Sequence, residues 1–157
     1  MASKIVTIKL NGVETEIMAK PLVTLQSVLR DQLGFTATKS GCNQGGCGSC
    51  TVLVNGQPMI SCLLPVADID GQSVTTLEGL SDGHTLHPLQ QAFFDKYAAQ
   101  CGYCTPGMIM VSKALLDKNP NPTAQEIADA ICGNICRCTG YKDILEAVAV
   151  AAERGVV

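Results

Sequence analysis

Eight of the nine cysteines in this chain fall into two groups with the spacing of metal ligands. Cys42, Cys47 and Cys50 form C-x4-C-x2-C, and Cys62 follows after eleven further residues. Three thiolates on one tight loop with a fourth at a distance is the plant-type arrangement for a [2Fe-2S] cluster. The second group joins Cys101 and Cys104, in C-x2-C, to Cys136 and Cys138, in C-x-C, and supplies the four thiolates that another two-iron cluster requires. Two one-electron centres on one short chain describe an electron relay. Tetrathiolate zinc shares the C-x2-C spacing, so a zinc-stabilised interaction module is the competing chemistry, although C-x-C beside a plant-type set argues against it. A free-standing two-cluster ferredoxin is the competing role.

The residues between the ligands fit a cluster. Gly41, Gly45, Gly46 and Gly48 lie among the first three cysteines, where a chain wrapping a two-iron rhomb needs positive φ angles and close backbone approach. Their amides are then free to point at sulfur and tune its potential. Cys132 is the ninth cysteine and reads as a small packed side chain. Arg137 lies between two ligands, where its charge would either raise the cluster's potential or serve an ordinary ion pair or interface contact. His84 and His87 lack the partner spacing of a Rieske pair and read as surface or capping residues. Met108 and Met110 read as core or subunit-interface filler.

Nine is an odd number for a disulfide scaffold, and the start Met-Ala-Ser-Lys-Ile-Val has no apolar leader; the expected compartment is reducing and cytoplasmic. There thiols stay free unless a metal or catalysis holds them. A net charge of -3 without a Lys/Arg run offers nucleic acid no basic footprint, and no apolar run approaches the about eighteen residues of a membrane span. With 157 residues and no Trp, neither half has much core, so the metal sites are expected to carry structural weight as well.

These ligands must be positioned by two kinds of structure. Ile5, Thr7 and Lys9 alternate with Val6, Ile8 and Leu10; Asn11-Gly12 then turns the chain into Val13–Met18, a hairpin. Thr24 caps a helix with Leu25, Val28, Leu29 and Leu33 on one stripe and Gly34 at its left-handed end. Thr51–Val54, Asn55-Gly56 and Gln57–Ile60 form a second hairpin that carries Cys62 back to the Cys42 loop, and Ser73–Thr76 adds a closing strand. Past a polar connector at residues 79–83, four helices are expected. The first opens at Pro88 and carries Leu89, Phe93, Phe94 and Tyr97; the second opens at Thr105-Pro106 by cap and first-position proline. Asn119–Pro122 stops the second, Thr123 and Glu126 cap the third, and the fourth runs from Lys142 to Gly155. The expected fold class is α+β, with a domain over residues 1–78 and a helical one over 79–157.

Three segments together, Gly41–Thr51, Gln100–Gly107 and Gly133–Tyr141, give the chain a resemblance to the iron–sulfur small subunit of the xanthine dehydrogenase/aldehyde oxidase family of molybdenum hydroxylases. The resemblance implies a β-grasp ferredoxin-like domain holding one [2Fe-2S] cluster, followed by a four-helix bundle holding another. It implies a large partner subunit with the molybdenum-pterin centre and, in most relatives, a medium subunit with FAD. It further implies that Gln100 and Cys138 contact the pterin, and that electrons pass from the Cys101, Cys104, Cys136, Cys138 cluster to the Cys42, Cys47, Cys50, Cys62 cluster and on to FAD or another acceptor. No substrate site is expected on this chain, which resembles the separate-subunit form of the family.

Overall fold

The structure, a computed structural model, describes residues 2–155. The first hairpin pairs β1 (Lys4–Leu10) with β2 (Val13–Ala19). Its turn residues Asn11 and Gly12 both have left-handed φ, 48° and 88°, the twist that two-residue hairpins favour. The second pairs β3 (Thr51–Val54) with β4 (Gln57–Ile60) through the same kind of turn. The strand expected to close the sheet, β5 (Ser73–Thr75), lies instead in its middle, parallel to β1 and antiparallel to β3, giving the order β2-β1-β5-β3-β4. Among the described residues, it is the strand that joins the two hairpins.

Helix α1 (Leu25–Ser27) is capped by Thr24, whose hydroxyl accepts from the Ser27 amide at 3.2 Å. The expected regular helix then widens into a π-helical turn over Val28–Gln32. Widening keeps Leu25, Val28 and Leu29 fully buried against the sheet while leaving Leu33 partly covered. All four residues of β3 are buried, because both its faces are covered. Val52 and Val54 join the sheet core with Ile8, Leu29 and Val74; Leu53 faces the other way, onto Met110 and Ala114 of the helical half.

The connector is pinned, not free. Asn11 accepts from the Thr76 amide at 2.9 Å and donates to its hydroxyl at 3.1 Å. Leu77 and Leu80, in a 3-10 turn, pack against the helical core and the Leu53 cluster. Beyond it come α2 (Pro88–Asp95), α3 (Thr105–Lys118), α4 (Ala124–Ile131) and α5 (Lys142–Glu153), around a core that includes Phe93, Met108, Ile127, Ile144 and Val148. Thr123 and Glu126 form the expected capping box. Two expectations fail. Thr105 does not cap α3: Cys104 is the cap residue, and the Thr105 hydroxyl is buried without a partner. Tyr97, expected on α2, instead follows the helix at a positive φ and is 84% exposed; Phe94 does lie on α2, about 100° round from buried Phe93, and is 74% exposed. Among the described residues no helix is long and apolar enough to cross a membrane.

His87 caps α2, its Nδ1 accepting from the Leu89 amide at 3.2 Å while its own amide donates to Gln90. Burial, then the charge of Lys113, holds its pKa below the ordinary value. The unfolded chain therefore takes up a proton more readily, and stability present above about pH 6.5 is lost as pH falls through that region. Replacing His87 by Asn keeps a cap without a titrating group. Denaturation midpoints between about pH 7 and pH 5 should fall less steeply in His87→Asn than in the parent; parallel profiles would contradict the assignment.

Candidate metal centres

The first cysteine group is assembled by the β3–β4 hairpin. Cys50 directly precedes β3, and Cys62 sits in the 3-10 turn Ser61–Leu63 directly after β4, so the hairpin returns Cys62 to Cys50. The Ser61 hydroxyl donates to the Cys50 carbonyl at 2.7 Å and fixes that return. The thiols pair as Cys42 with Cys47 and Cys50 with Cys62, and the charge of Cys42 is felt in turn at Cys62. Cys50 and Cys62 are buried; Cys42 and Cys47 are half-buried. The Gln44 amide, followed by the Cys47 thiol, lowers Cys42 to about 7, and Gly46 N–H reaches its sulfur at 3.3 Å. Burial, with the Cys50 thiol, pushes Cys62 up to about 11.

Glycine has a specific task at three of these positions, Gly41, Gly45 and, at φ 71° with Asn134 against it, Gly48. A Cβ on Gly41 would lie 2.8 Å from Cys47 Sγ, and Gly45, at φ 81°, faces Leu63 so closely that a Cβ would strike it. Gly46 has open space around its Cα; what it contributes is its amide.

The second group lines a cavity of about 140 Å³ that contains all four thiols and is also bordered by Ser49 of the first loop. Cys101 Sγ and Cys138 Sγ are 3.5 Å apart. Tyr141 Oη accepts from the Cys136 amide at 2.9 Å, and Thr139 Oγ1 meets Cys136 Sγ at 3.1 Å. Burial raises Cys136, but the Thr139 hydroxyl and nearby amides outweigh it and the pKa falls. Burial and Cys136 push Cys104 up to about 12. Cys104 and Cys136 are buried while Cys101 and Cys138 are exposed, with exposed Gln100 beside them. Tyr103, Ile135 and Arg137 complete the wall of the cavity; among the described residues no three His, Cys, Asp or Glu side chains close on a point suited to one ion.

Cys132 belongs to neither quartet. It is exposed at the end of α4, not packed as expected, because the buried face of that helix is spent on Ile127 and Ile131. Arg137 is exposed and makes no ion pair among the described residues.

Sequence reasoning missed the seam between the quartets. Asn134 is buried and donates from Nδ2 to the Gly48 carbonyl at 3.1 Å; Ile135 N–H donates to the Cys47 carbonyl at 2.9 Å. Tyr103 Oη donates to the Ser40 carbonyl at 2.8 Å. A Cβ on Gly107 would collide with the Gly48 carbonyl and with Asn134. The visible signal was an asparagine and glycines inside the cysteine segments.

Known proteins share this arrangement. Residues 4–96 match the "2Fe-2S iron-sulfur cluster binding domain" family and residues 76–149 the "[2Fe-2S] binding domain" family. The nicotinate dehydrogenase small FeS subunit of Eubacterium barkeri is 47% identical over 149 residues, covering 95% of each chain. One of the nicotinate dehydrogenase subunits of Pseudomonas putida is 45% identical over 148 residues, 94% of each. The chain belongs to the iron–sulfur small subunits of the molybdenum hydroxylases. A chain in the crystal structure of quinoline 2-oxidoreductase from Pseudomonas putida 86 superposes on this small subunit with a TM-score of 0.94 at 42% identity, over the whole of both chains. Its role is electron transfer.

The residues fit the iron–sulfur groups of that family: eight thiols in two quartets, amides aimed at sulfur, and glycines where a side chain would crowd a ligand. Gly41→Ala should displace Cys47 Sγ and cost this small subunit iron at the first quartet, while the circular dichroism of sheet and helices is kept. Full iron content in that variant would show that the close approach is not needed.

Proposed function

We propose that Cys42, Cys47, Cys50 and Cys62 hold one [2Fe-2S] cluster, that Cys101, Cys104, Cys136 and Cys138 hold another, and that the second quartet receives electrons from a large molybdenum-pterin subunit. The observation that carries this reading is the sorting of eight thiols into two quartets that meet at one seam while each keeps an open side. Cys101 and Cys138 are exposed in one quartet, and Asn43, Gln44 and Gly46 in the other. Bound at these sites, each cluster takes up and gives up one electron at a time.

The chain's own residues do the placing. The exposed Gln100 carboxamide offers a donor and an acceptor to the pterin edge next to Cys138. Buried Cys104 and Cys136 keep water from the inner side of their quartet. The 43–46 loop presents the first quartet to an FAD subunit or another acceptor. Residues 1–78 form a β-grasp ferredoxin-like domain and 79–157 a helical domain, a division supported by their separate cores. Cysteines held as metal ligands and not joined in disulfides accord with a cytoplasmic location. Relatives of like length are named for nicotinate and, among solved structures, quinoline; both are N-heteroaromatic, which supports a substrate of that class at the partner's site.

Purification under native conditions tests the assembly: the subunit should elute with a larger chain containing molybdenum, and elution alone as a stable two-cluster protein would favour the free ferredoxin. Cys132→Ala should keep both clusters, whereas Cys136→Ala should lose the helical one. Gln100→Ala should slow reduction by substrate with cluster content unchanged, a loss worth about 0.5–1.5 kcal/mol for one hydrogen bond. An unchanged rate would remove Gln100 from the pterin contact.

A further inference from the structure

Between the two thiol quartets the shortest backbone route has one non-covalent step. Cys47 belongs to the first quartet, its carbonyl accepts from Ile135 N–H at 2.9 Å, and Ile135 is bonded to Cys136 of the second. Electronic coupling decays less steeply along bonds, hydrogen bonds included, than across empty space, so the closure of this one contact governs the route. Nothing in the contact holds itself shut. Ile135 is exposed, and Cys47 sits on a loop of glycines.

The residue beside it is different in kind. Asn134 is 3% exposed, and its Nδ2 donates to the Gly48 carbonyl at 3.1 Å. That carbonyl can only accept, which fixes the amide's orientation. It also receives the Thr51 amide at 3.0 Å and the Thr51 hydroxyl at 2.7 Å, so the Gly48 end of the clamp is anchored to β3. Asn134 N–H donates to the Ile131 carbonyl at 2.8 Å, anchoring the other end to α4. Gly107 lies against the same carbonyl with no room for a Cβ. A buried carboxamide is costly unless it is paired, and an apolar side chain would pack here without that requirement; what the carboxamide adds is direction.

We propose that Asn134 is a positioning residue for electron transfer between the quartets, clamping Gly48 so that the adjoining hydrogen bond from Ile135 to Cys47 stays closed. In the step it would serve, one electron would leave a centre held by the Cys101 quartet and reach one held by the Cys42 quartet, so that the first would be oxidised and the second reduced by the same single electron, with no covalent bond made or broken. The proposal rests on the ligand assignment above.

The test uses the holoenzyme, reduced with dithionite, and reads iron content, the mutual splitting of the two low-temperature EPR signals, and the rate at which an electron equilibrates between the centres after pulsed reduction. Asn134→Ala removes the clamp. Gly107→Ala keeps the carboxamide but drives a Cβ into the Gly48 carbonyl. Leu53→Ala loosens the apolar contact of the same two halves without touching the route. Asn134→Ala and Gly107→Ala should retain both signals with diminished splitting and slower equilibration; Leu53→Ala should lower thermal stability and leave splitting and rate as in the parent. Parental splitting and rate in Asn134→Ala would overturn the proposal, as would the same losses in Leu53→Ala. Disappearance of a cluster in Asn134→Ala would also overturn it, making the residue a support for ligands. A parent enzyme with fewer than two signals from this chain would instead defeat the ligand assignment.

Discussion

The Gly48 carbonyl lies where the first cysteine loop, the start of α3 and the loop after α4 come together. Three donors reach it, from Thr51 twice and from Asn134, and it can be reached only because Gly48 and Gly107 carry no side chains. At Gly48 the requirement is double. Its φ is 71°, and a Cβ there would meet both Asn134 and the Gly133 carbonyl. The sheet and helices serve this junction: β3 delivers Thr51 and Cys50, α3 delivers Gly107, and α4 ends so that Asn134 follows it. The apolar contact of Leu53 with Met110 and Ala114 brings the halves together but has no direction of its own; the polar seam supplies the register.

Each half has a modest core without tryptophan, and its cysteines are part of the packing, since Cys50, Cys62, Cys104 and Cys136 are all buried. Burial is why Cys62 and Cys104 hold their protons, at about 11 and about 12. Hydrogen bonds from backbone amides are why Cys42 gives its proton up at about 7. A quartet therefore does not become four thiolates at neutral pH unaided. Metal must displace the remaining protons, which couples assembly of the centre to release of protons and lets the binding energy reinforce a small fold.

Much of this was legible in the residues. Both two-residue turns, the Thr24 and Thr123 caps and the left-handed Gly34 are local signals, and the hairpins and helical segments they mark formed there, the one after Thr24 as a single α-helical turn followed by the π-helical one. The central place of β5 was not legible, because strand alternation gives faces and not neighbours. Nor was the π-helical widening at Val28–Gln32, because Leu25, Val28, Leu29 and Leu33 read as one stripe of a regular helix. The Thr105-Pro106 pair misled because Pro at the start of a helix says nothing about which residue caps it. Cys132 misled because cysteines are on average buried. The ligand residues stood out through spacing alone, whereas the seam that orders them depends on contacts between residues as far apart as Gly48 and Asn134, which no local pattern reports.

The proposed relay stands on one small subunit carrying two distinct two-iron centres, one per quartet. Iron and acid-labile sulfide analysis of the purified subunit in its complex, combined with low-temperature EPR at graded reduction, tests it most directly. About four irons and four sulfides attributable to this chain are expected, with two signals of different shape that appear at different potentials. A single signal with about half that iron, or zinc in its place, would contradict it.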